Sequence, residues 1–371
     1  MQKLAFRALA LACAFGLAAT AAHAVPQFPV DDLTKMPDQN LDGASAMALF
    51  KSMMMDEQLD ATEKAVEQFR QEKSKTALGE WKLSHFYDAL KGQIKDPRLE
   101  PLLAKWTQRF PQSPTPKIIK AHFLFLDAIN DTGQQGFNDK PAQATNYQAA
   151  KLKALSDYLD EIKPAVAARD PQWYVLRART DMLMDADPIA FLGNAMTGLK
   201  QEPTFVALQD AGTDYFAGNS RDLERWARLM QQTLGDAPGT GGAYALAYWR
   251  AYNEAYHADM RRNSDIDWDD FTKSAAALVR DYPDPQNVGR MALMTCSGAD
   301  RAATKQLIGM GRGPLAFYPW ASLQQQKVCA QWAAAPAWVG AYEWLMQWID
   351  RDHAQLAQYG PMSFRRRSAS R

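Results

Sequence analysis

Cysteine and histidine are both scarce in this chain. Of its 371 residues only Cys13, Cys296 and Cys329 are cysteine, and only five are histidine. No C-x-x-C occurs, which removes thioredoxin-like redox chemistry, and two distant cysteines make a poor zinc set. The histidines form neither H-x-x-x-H nor H-E-x-x-H, so the sequence writes no zincin site and no metal is expected. The G-x-S-x-G elbow of serine hydrolases is missing as well.

An excess of one charge is also lacking: 42 Lys and Arg balance 42 Asp and Glu. A nucleic-acid binder needs a concentrated cationic surface to displace counterions, so no nucleic-acid partner is expected. The one basic cluster, Arg365-Arg366-Arg367 with Arg371, reads as a solvated, disordered tail over 359–371.

Long apolar runs are limited to Leu9-Ala10-Leu11-Ala12-Cys13-Ala14-Phe15-Gly16-Leu17. That run is too short and too rich in alanine to span a membrane. Lys3 and Arg7 precede it and Ala22-His23-Ala24 follows, which is the order of a secretory signal. The reading is a signal peptide over 1–24, cleaved near Ala24-Val25, and a periplasmic or secreted chain with no transmembrane segment once mature. Ala10-Leu11-Ala12 before Cys13 makes a poor lipoprotein box, so no lipid anchor is expected. An oxidising compartment in turn favours a disulfide between Cys296 and Cys329.

What the chain does have is helical spacing, with strand alternation almost absent. Residues 25–42 are rich in proline and polar residues and read as an extended leader; 43–358 read as one α-helical, repeat-like domain. Leu152, Leu155, Leu159 and Ile162 form one apolar stripe. Leu223, Trp226, Ala227, Met230 and Leu234 form a second, and Phe271, Ala275, Leu278, Val279 and Tyr282 a third. Asp96-Pro97, Asp170-Pro171 and Asp187-Pro188 place an amide-accepting Asp before a Pro that has no amide to orphan, the pattern of a helix start. Ser113-Pro114 and Ser220-Arg221-Asp222 read similarly. Short turns between helices suggest antiparallel pairs. The steps Pro171 to Pro203 and Pro283 to Pro319, 32 and 36 residues, lie near the tetratricopeptide unit of about 34. The expected fold is all-α: antiparallel helix pairs stacked as a tetratricopeptide-like α-solenoid.

Three motifs suggest ligands and fall short. Gly235 to Gly242 lacks the Gly-Lys-Ser/Thr ending of a phosphate loop and reads as a helix–helix connection. Gly309-Met310-Gly311-Arg312-Gly313 has no βαβ frame for a dinucleotide. Asp265-Ile266-Asp267-Trp268-Asp269-Asp270 opens like a calcium loop, but Asp270 stands where glycine is needed and Ala276 where a bidentate Glu is needed. A helix N-terminus enriched in carboxylates explains that cluster. No cofactor is expected.

The segment from Ala243 to His257 carries the candidate surface. Tyr244, Tyr248, Tyr252 and Tyr256 recur every four residues on one drifting helix face, with Trp249, Arg250, Glu254 and His257 beside them. Such a face either packs inside a helical array or lines a groove where rings anchor a partner and Arg250 meets a carboxylate. The candidate binding residues are Tyr244, Tyr248, Arg250, Tyr252 and His257; no catalytic residue is assigned. Trp332, Trp338, Trp344 and Trp348 read as a cover over the end of the array, and His122 as a packed core histidine.

Further short patterns run in order along the chain. They are Leu102-Leu103-Ala104-Lys105-Trp106 with Phe110-Pro111-Gln112-Ser113, then Asp170-Pro171-Gln172-Trp173. Arg221-Asp222-Leu223-Glu224-Arg225-Trp226, Gly241-Gly242-Ala243-Tyr244-Ala245 and Trp249 follow, and Asn287 with Ala292 and Cys296 close the series. From about Leu99 to Trp320 this order resembles an uncharacterised bacterial family, a domain of unknown function with tetratricopeptide-like helical repeats. It departs from that family at Asn130-Asp131-Thr132-Gly133, where an Arg-Gly pair belongs. The resemblance implies a stacked-helix fold and brings no catalytic residue. Together these readings point to an exported helical-repeat scaffold that binds an envelope protein or peptide. The alternative is a helical-toroid enzyme acting on a polysaccharide or other envelope substrate, with Tyr and His as acid and base.

Overall fold

The computed structural model describes residues 56–90, 96–130, 146–184, 187–234, 238–256 and 260–335. Residues 1–24, read above as a signal peptide, 25–42, read as a leader, and 359–371, read as a tail, lie outside the described residues, as do His257, Trp338, Trp344, Trp348 and residues 131–133.

Every element of the described chain is helical. In order they are α1 (Asp56–Glu72), α2 (Lys82–Ala89), α3 (Leu99–Arg109), α4 (Thr115–Asn130), α5 (Asn146–Val166), α6 (Gln172–Leu183), α7 (Pro188–Gln201) and α8 (Val206–Phe216). There follow α9 (Ser220–Leu234), α10 (Ala243–Ala251), a π-helical turn (Tyr252–Tyr256), α11 (Met260–Asn263), α12 (Trp268–Asp281), α13 (Pro285–Ser297), α14 (Arg301–Met310) and α15 (Leu323–Ala334). No strand is formed among the described residues; Lys75 and Trp81 make one isolated antiparallel bridge.

The helix starts follow local chemistry. Asp187 accepts from the Ile189 amide ahead of Pro188, and Asp284 accepts from Gln286 ahead of Pro285. Asp170 accepts from the Gln172 amide at 3.0 Å, and Ser113 from the Thr115 amide at 3.1 Å. At α9 the cap is Asn219, one residue before the Ser220 signal, accepting from Arg221 and Asp222 at 3.0 and 3.3 Å. Asp267 caps α12 through the amides of Asp269 and Asp270, so the acidic cluster sits on the positive end of a helix.

The apolar stripes face inward. Leu152, Leu155, Leu159 and Ile162 of α5 are buried, as are all five stripe residues of α9 and Phe271, Ala275, Leu278 and Val279 of α12. Each of α4, α6, α8, α10 and α12 packs on the next even-numbered helix and, the short α11 apart, on its sequence neighbours. This order of contacts is consistent with an α-solenoid, in which each unit buries its face against the next. Near the C-terminal end a disulfide between Cys296 of α13 and Cys329 of α15 joins two helices with Cα atoms 6.0 Å apart.

At the N-terminal end a buried charge network locks four elements together. Arg70 of α1 reaches Asp170 Oδ2 through Nε and Nη2 at 3.1 and 2.9 Å, and Thr115 Oγ1 at 2.9 Å. The Tyr87 hydroxyl of α2 donates to the same Asp170 oxygen at 2.7 Å. Burial works against the Arg70 charge, but Asp170, Tyr87 and Glu67 outweigh it and hold the guanidinium firmly protonated. His122 is buried, stacked on Tyr87 and 2.9 Å from Gln172 Nε2.

Between α1 and α2 the chain makes a strap, residues 73–82, that crosses to distant parts of the fold. Gly79 holds a φ of 87° in the left-handed region, and a Cβ there would meet the Tyr282 ring at 2.8 Å. Trp81 of the strap donates to Thr204 Oγ1 at 3.1 Å and stacks edge-on with Phe205 in the α7–α8 turn. Asn287 of α13 is buried and donates to the carbonyls of Leu78 and Tyr282, both at 3.2 Å. The strap therefore ties the N-terminal helices to the middle of the array and to its α12–α13 corner.

Candidate functional site

Tyr244 and Tyr248 of α10 are wholly buried. Both hydroxyls donate to Glu224 Oε2 of α9, Tyr244 at 2.6 Å. Tyr244 also accepts from the Asp267 amide at 2.9 Å. Burial first, and then these bonds to a carboxylate, push both phenols well above their ordinary range. Arg228, the neighbouring cation, pairs with Glu224, Asp267 and Asp270. The α9–α10–α12 corner is thus stitched by satisfied polar groups, and these two rings face the interior. Around them α10 packs on α8, α9, α12 and α13.

The other side of α10 is different. Arg250 clamps Asp214 of α8 with two bonds, Nε to Oδ1 at 2.7 Å and Nη2 to Oδ2 at 3.1 Å. Trp249 is buried and stacked with Tyr252 at 5.7 Å. The Arg290 guanidinium of α13 lies 5.8 Å from the ring centres of both Trp249 and Tyr318. Tyr318 belongs to the α14–α15 loop and is 51 % exposed. Arg290 Nη1 faces Glu80 Oε1 of the strap at 3.8 Å, and Glu80 Oε2 lies 2.9 Å from His85 Nε2.

Asp210, one helical turn before Asp214, completes the cluster. Burial pushes its carboxyl up to about 6; Arg250 opposes this, Asp214 and Glu80 add to it, and Arg179 opposes. Glu80 moves the other way. Burial would raise it, but the bond from His85 and the Arg290 charge bring it below the usual range. The strap, α6, α8, α10, α13 and the α14–α15 loop thus contribute to one mixed-charge, aromatic-walled centre. The shifts of its two acids, Asp210 and Glu80, run in opposite directions.

Of the residues singled out from the sequence, Arg250 and Tyr252 lie at this centre, Tyr244 and Tyr248 lie on the Glu224 side, and His257 lies outside the described residues. Glu80, Asp210, Arg290 and Tyr318 carry no sequence signal of their own. Among the described residues no group of three or more His, Cys, Asp or Glu is placed to hold a metal ion. No described helix is long and apolar enough to cross a membrane.

No known protein decides the matter. The chain matches no protein-family model, no curated protein and no solved structure.

Proposed function

We propose that this protein is an exported helical-repeat scaffold that binds a protein or peptide partner, with Arg290 and the α14–α15 loop at its binding face. The observation that carries this reading is the pairing of an enclosed cation with exposed rings. The Arg290 side chain is 12 % exposed beside Tyr318, and Phe317 of the same loop and Leu323 at the start of α15 are 59 and 55 % exposed. Exposed aromatic residues around an arginine are typical anchors of binding surfaces. Export rests on the order of residues 1–24, and membership of the tetratricopeptide-like family on the patterns from Leu99 to Trp320; both belong to this proposal.

The test is in-cell crosslinking of the tagged chain, followed by mass spectrometry, beside a Phe317→Ser/Tyr318→Ser variant. An envelope protein captured by the parent and lost by the variant supports the scaffold. Equal capture by both, or capture by neither, overturns it.

The shift of Asp210 favours a second reading, an enzyme acting on an envelope polysaccharide. A carboxyl that keeps its proton up to about 6 is suited to donate it as a general acid. Release of sugar fragments from cell-wall polysaccharide, abolished by Asp210→Asn, would favour this reading over the scaffold.

A further inference from the structure

The last described stretch of the chain differs from the rest in charge. Residues 301–335, which form α14, the loop after it and α15, carry Arg301, Lys305, Arg312 and Lys327 and no acidic residue, in a chain whose charges balance overall. Several exposed cations elsewhere are neutralised locally: Arg98 pairs with Asp96, Arg225 with Asp222 and Arg280 with Asp281. Arg301 is half-buried, and its Nε donates to the Trp332 carbonyl at 2.9 Å, which joins α14 to α15. Lys305, Arg312 and Lys327 are exposed, and none of them pairs with a carboxylate among the described residues.

The same stretch holds three of the five large apolar side chains that are exposed among the described residues: Phe317 and Tyr318 of the loop and Leu323 of α15. Arg312 stands in the loop with the two rings, and Lys327 follows Leu323 by one turn on the outward face of α15. The loop is fixed in place. Gln326 Nε2 of α15 donates to the carbonyls of Leu315 and Ala316 at 3.2 and 2.8 Å, and the Trp320 amide donates to the Phe317 carbonyl at 3.0 Å. Rings held on an ordered loop lose little freedom when a partner covers them.

Unpaired cations beside exposed rings are complemented by acidic side chains around an apolar anchor. A nucleic acid would need a denser cationic surface. A bilayer would need more apolar area than three side chains offer, and three cations add little to it.

We propose that the α14–α15 face binds an acidic peptide segment of a partner protein, a run of Glu or Asp interrupted by one or two apolar side chains. Phe317, Tyr318 and Leu323 receive the apolar side chains, and Arg312 and Lys327 meet the carboxylates beside them. This inference rests on the reading of the protein as a peptide-binding scaffold, and it specifies the chemistry that scaffold recognises.

The test is fluorescence-anisotropy titration of the full chain with a set of labelled Glu peptides about ten residues long, each with a Leu-Phe pair at a different position. Every peptide is compared with its Gln counterpart and with a form in which Ser replaces the pair. The expected result is binding of at least one acidic peptide, weakened about tenfold or more in the Gln form and in the Ser form. Binding of the acidic form should also weaken as salt rises above about 0.15 M. Arg312→Glu/Lys327→Glu is expected to lose the same about tenfold for the acidic peptide and to leave the Gln form unchanged. Both side chains are exposed, so helicity by circular dichroism should be kept. Phe317→Ser/Tyr318→Ser is expected to weaken acidic and Gln forms alike. Should the charge-reversed variant not fold, the comparison of acidic and Gln forms on the parent decides alone. No binding of any acidic peptide, or equal binding of acidic and Gln forms, overturns the proposal. Binding to phosphatidylglycerol vesicles with none to the peptides overturns it in favour of a membrane surface. A partner captured in cells, lost by Phe317→Ser/Tyr318→Ser and kept by Arg312→Glu/Lys327→Glu, removes the acidic specificity and leaves the scaffold standing. Acidic-peptide binding without a captured partner does the reverse.

Discussion

The Lys75 ammonium donates a hydrogen bond to the Tyr282 hydroxyl at 2.9 Å across 207 residues of sequence. Lys75 belongs to the strap, and Tyr282 is the C-cap of α12. Their contact brings Glu80 to the centre, because the same strap carries it within 3.8 Å of Arg290.

The buried Asn287 is one anchor of the strap, and Asn287→Ala removes the donor to both Leu78 and Tyr282. A loss of about 2–3 kcal/mol is expected, since two buried carbonyls lose their partner. Denaturant unfolding measures it, and hydrogen exchange should locate the opened amides in residues 73–82.

Asp170→Ala should be more damaging. It leaves Arg70, which is 6 % exposed in its side chain, as a buried cation with its principal counter-charge gone. Breaking one side of a buried pair typically costs about 3–5 kcal/mol. Thermal unfolding of Asp170→Ala beside the double variant Asp170→Ala/Arg70→Met tests the cause: removing the stranded charge should restore part of the loss.

Asp210→Asn should do the opposite. The folded protein holds the Asp210 proton up to about 6, whereas an unfolded Asp releases it near 3.9. The native state is therefore favoured at low pH, and that contribution is lost as pH rises from about 4 through about 6. The variant should match the parent at the acid end and exceed it at neutral pH by about 1–3 kcal/mol. Unfolding curves at both pH values check this, and a flat difference across pH would contradict it.

Reduction of Cys296–Cys329, or Cys296→Ser with Cys329→Ser, opens a loop of 33 residues. The chain-entropy relation gives a loss of about 3–4 kcal/mol. Urea midpoints with and without reductant read it directly.

Tyr248→Phe keeps the packed ring and removes the bond to Glu224. The expected cost is about 1–2 kcal/mol of stability. Denaturant unfolding of the variant beside the parent measures it.

The parts of the fold legible in the sequence are those set by near neighbours. Asp187-Pro188 starts a helix because capping chemistry acts over two or three residues, and the α5, α9 and α12 stripes are buried because periodicity and helix geometry share one period. The Ser220 signal falls one residue late because Asn219 competes for the same amides. Tyr244 and Tyr248 show their spacing in sequence, but Glu224, which receives both hydroxyls, lies on another helix. The centre itself joins positions 80, 210, 250, 290 and 318, and no local pattern links a strap, three helices and a loop.

Residues 73–82 also change how this array shares its stability. In an open stack each unit leans only on its neighbours, so terminal units can be trimmed with additive, local losses. Here the turn at Leu78 and Gly79 rests on Tyr282 and Asn287, and removing α13–α15 would loosen the first two helices as well as the last. Unfolding should accordingly be one cooperative event shared by both ends, where an unbraced stack would melt inward from its tips.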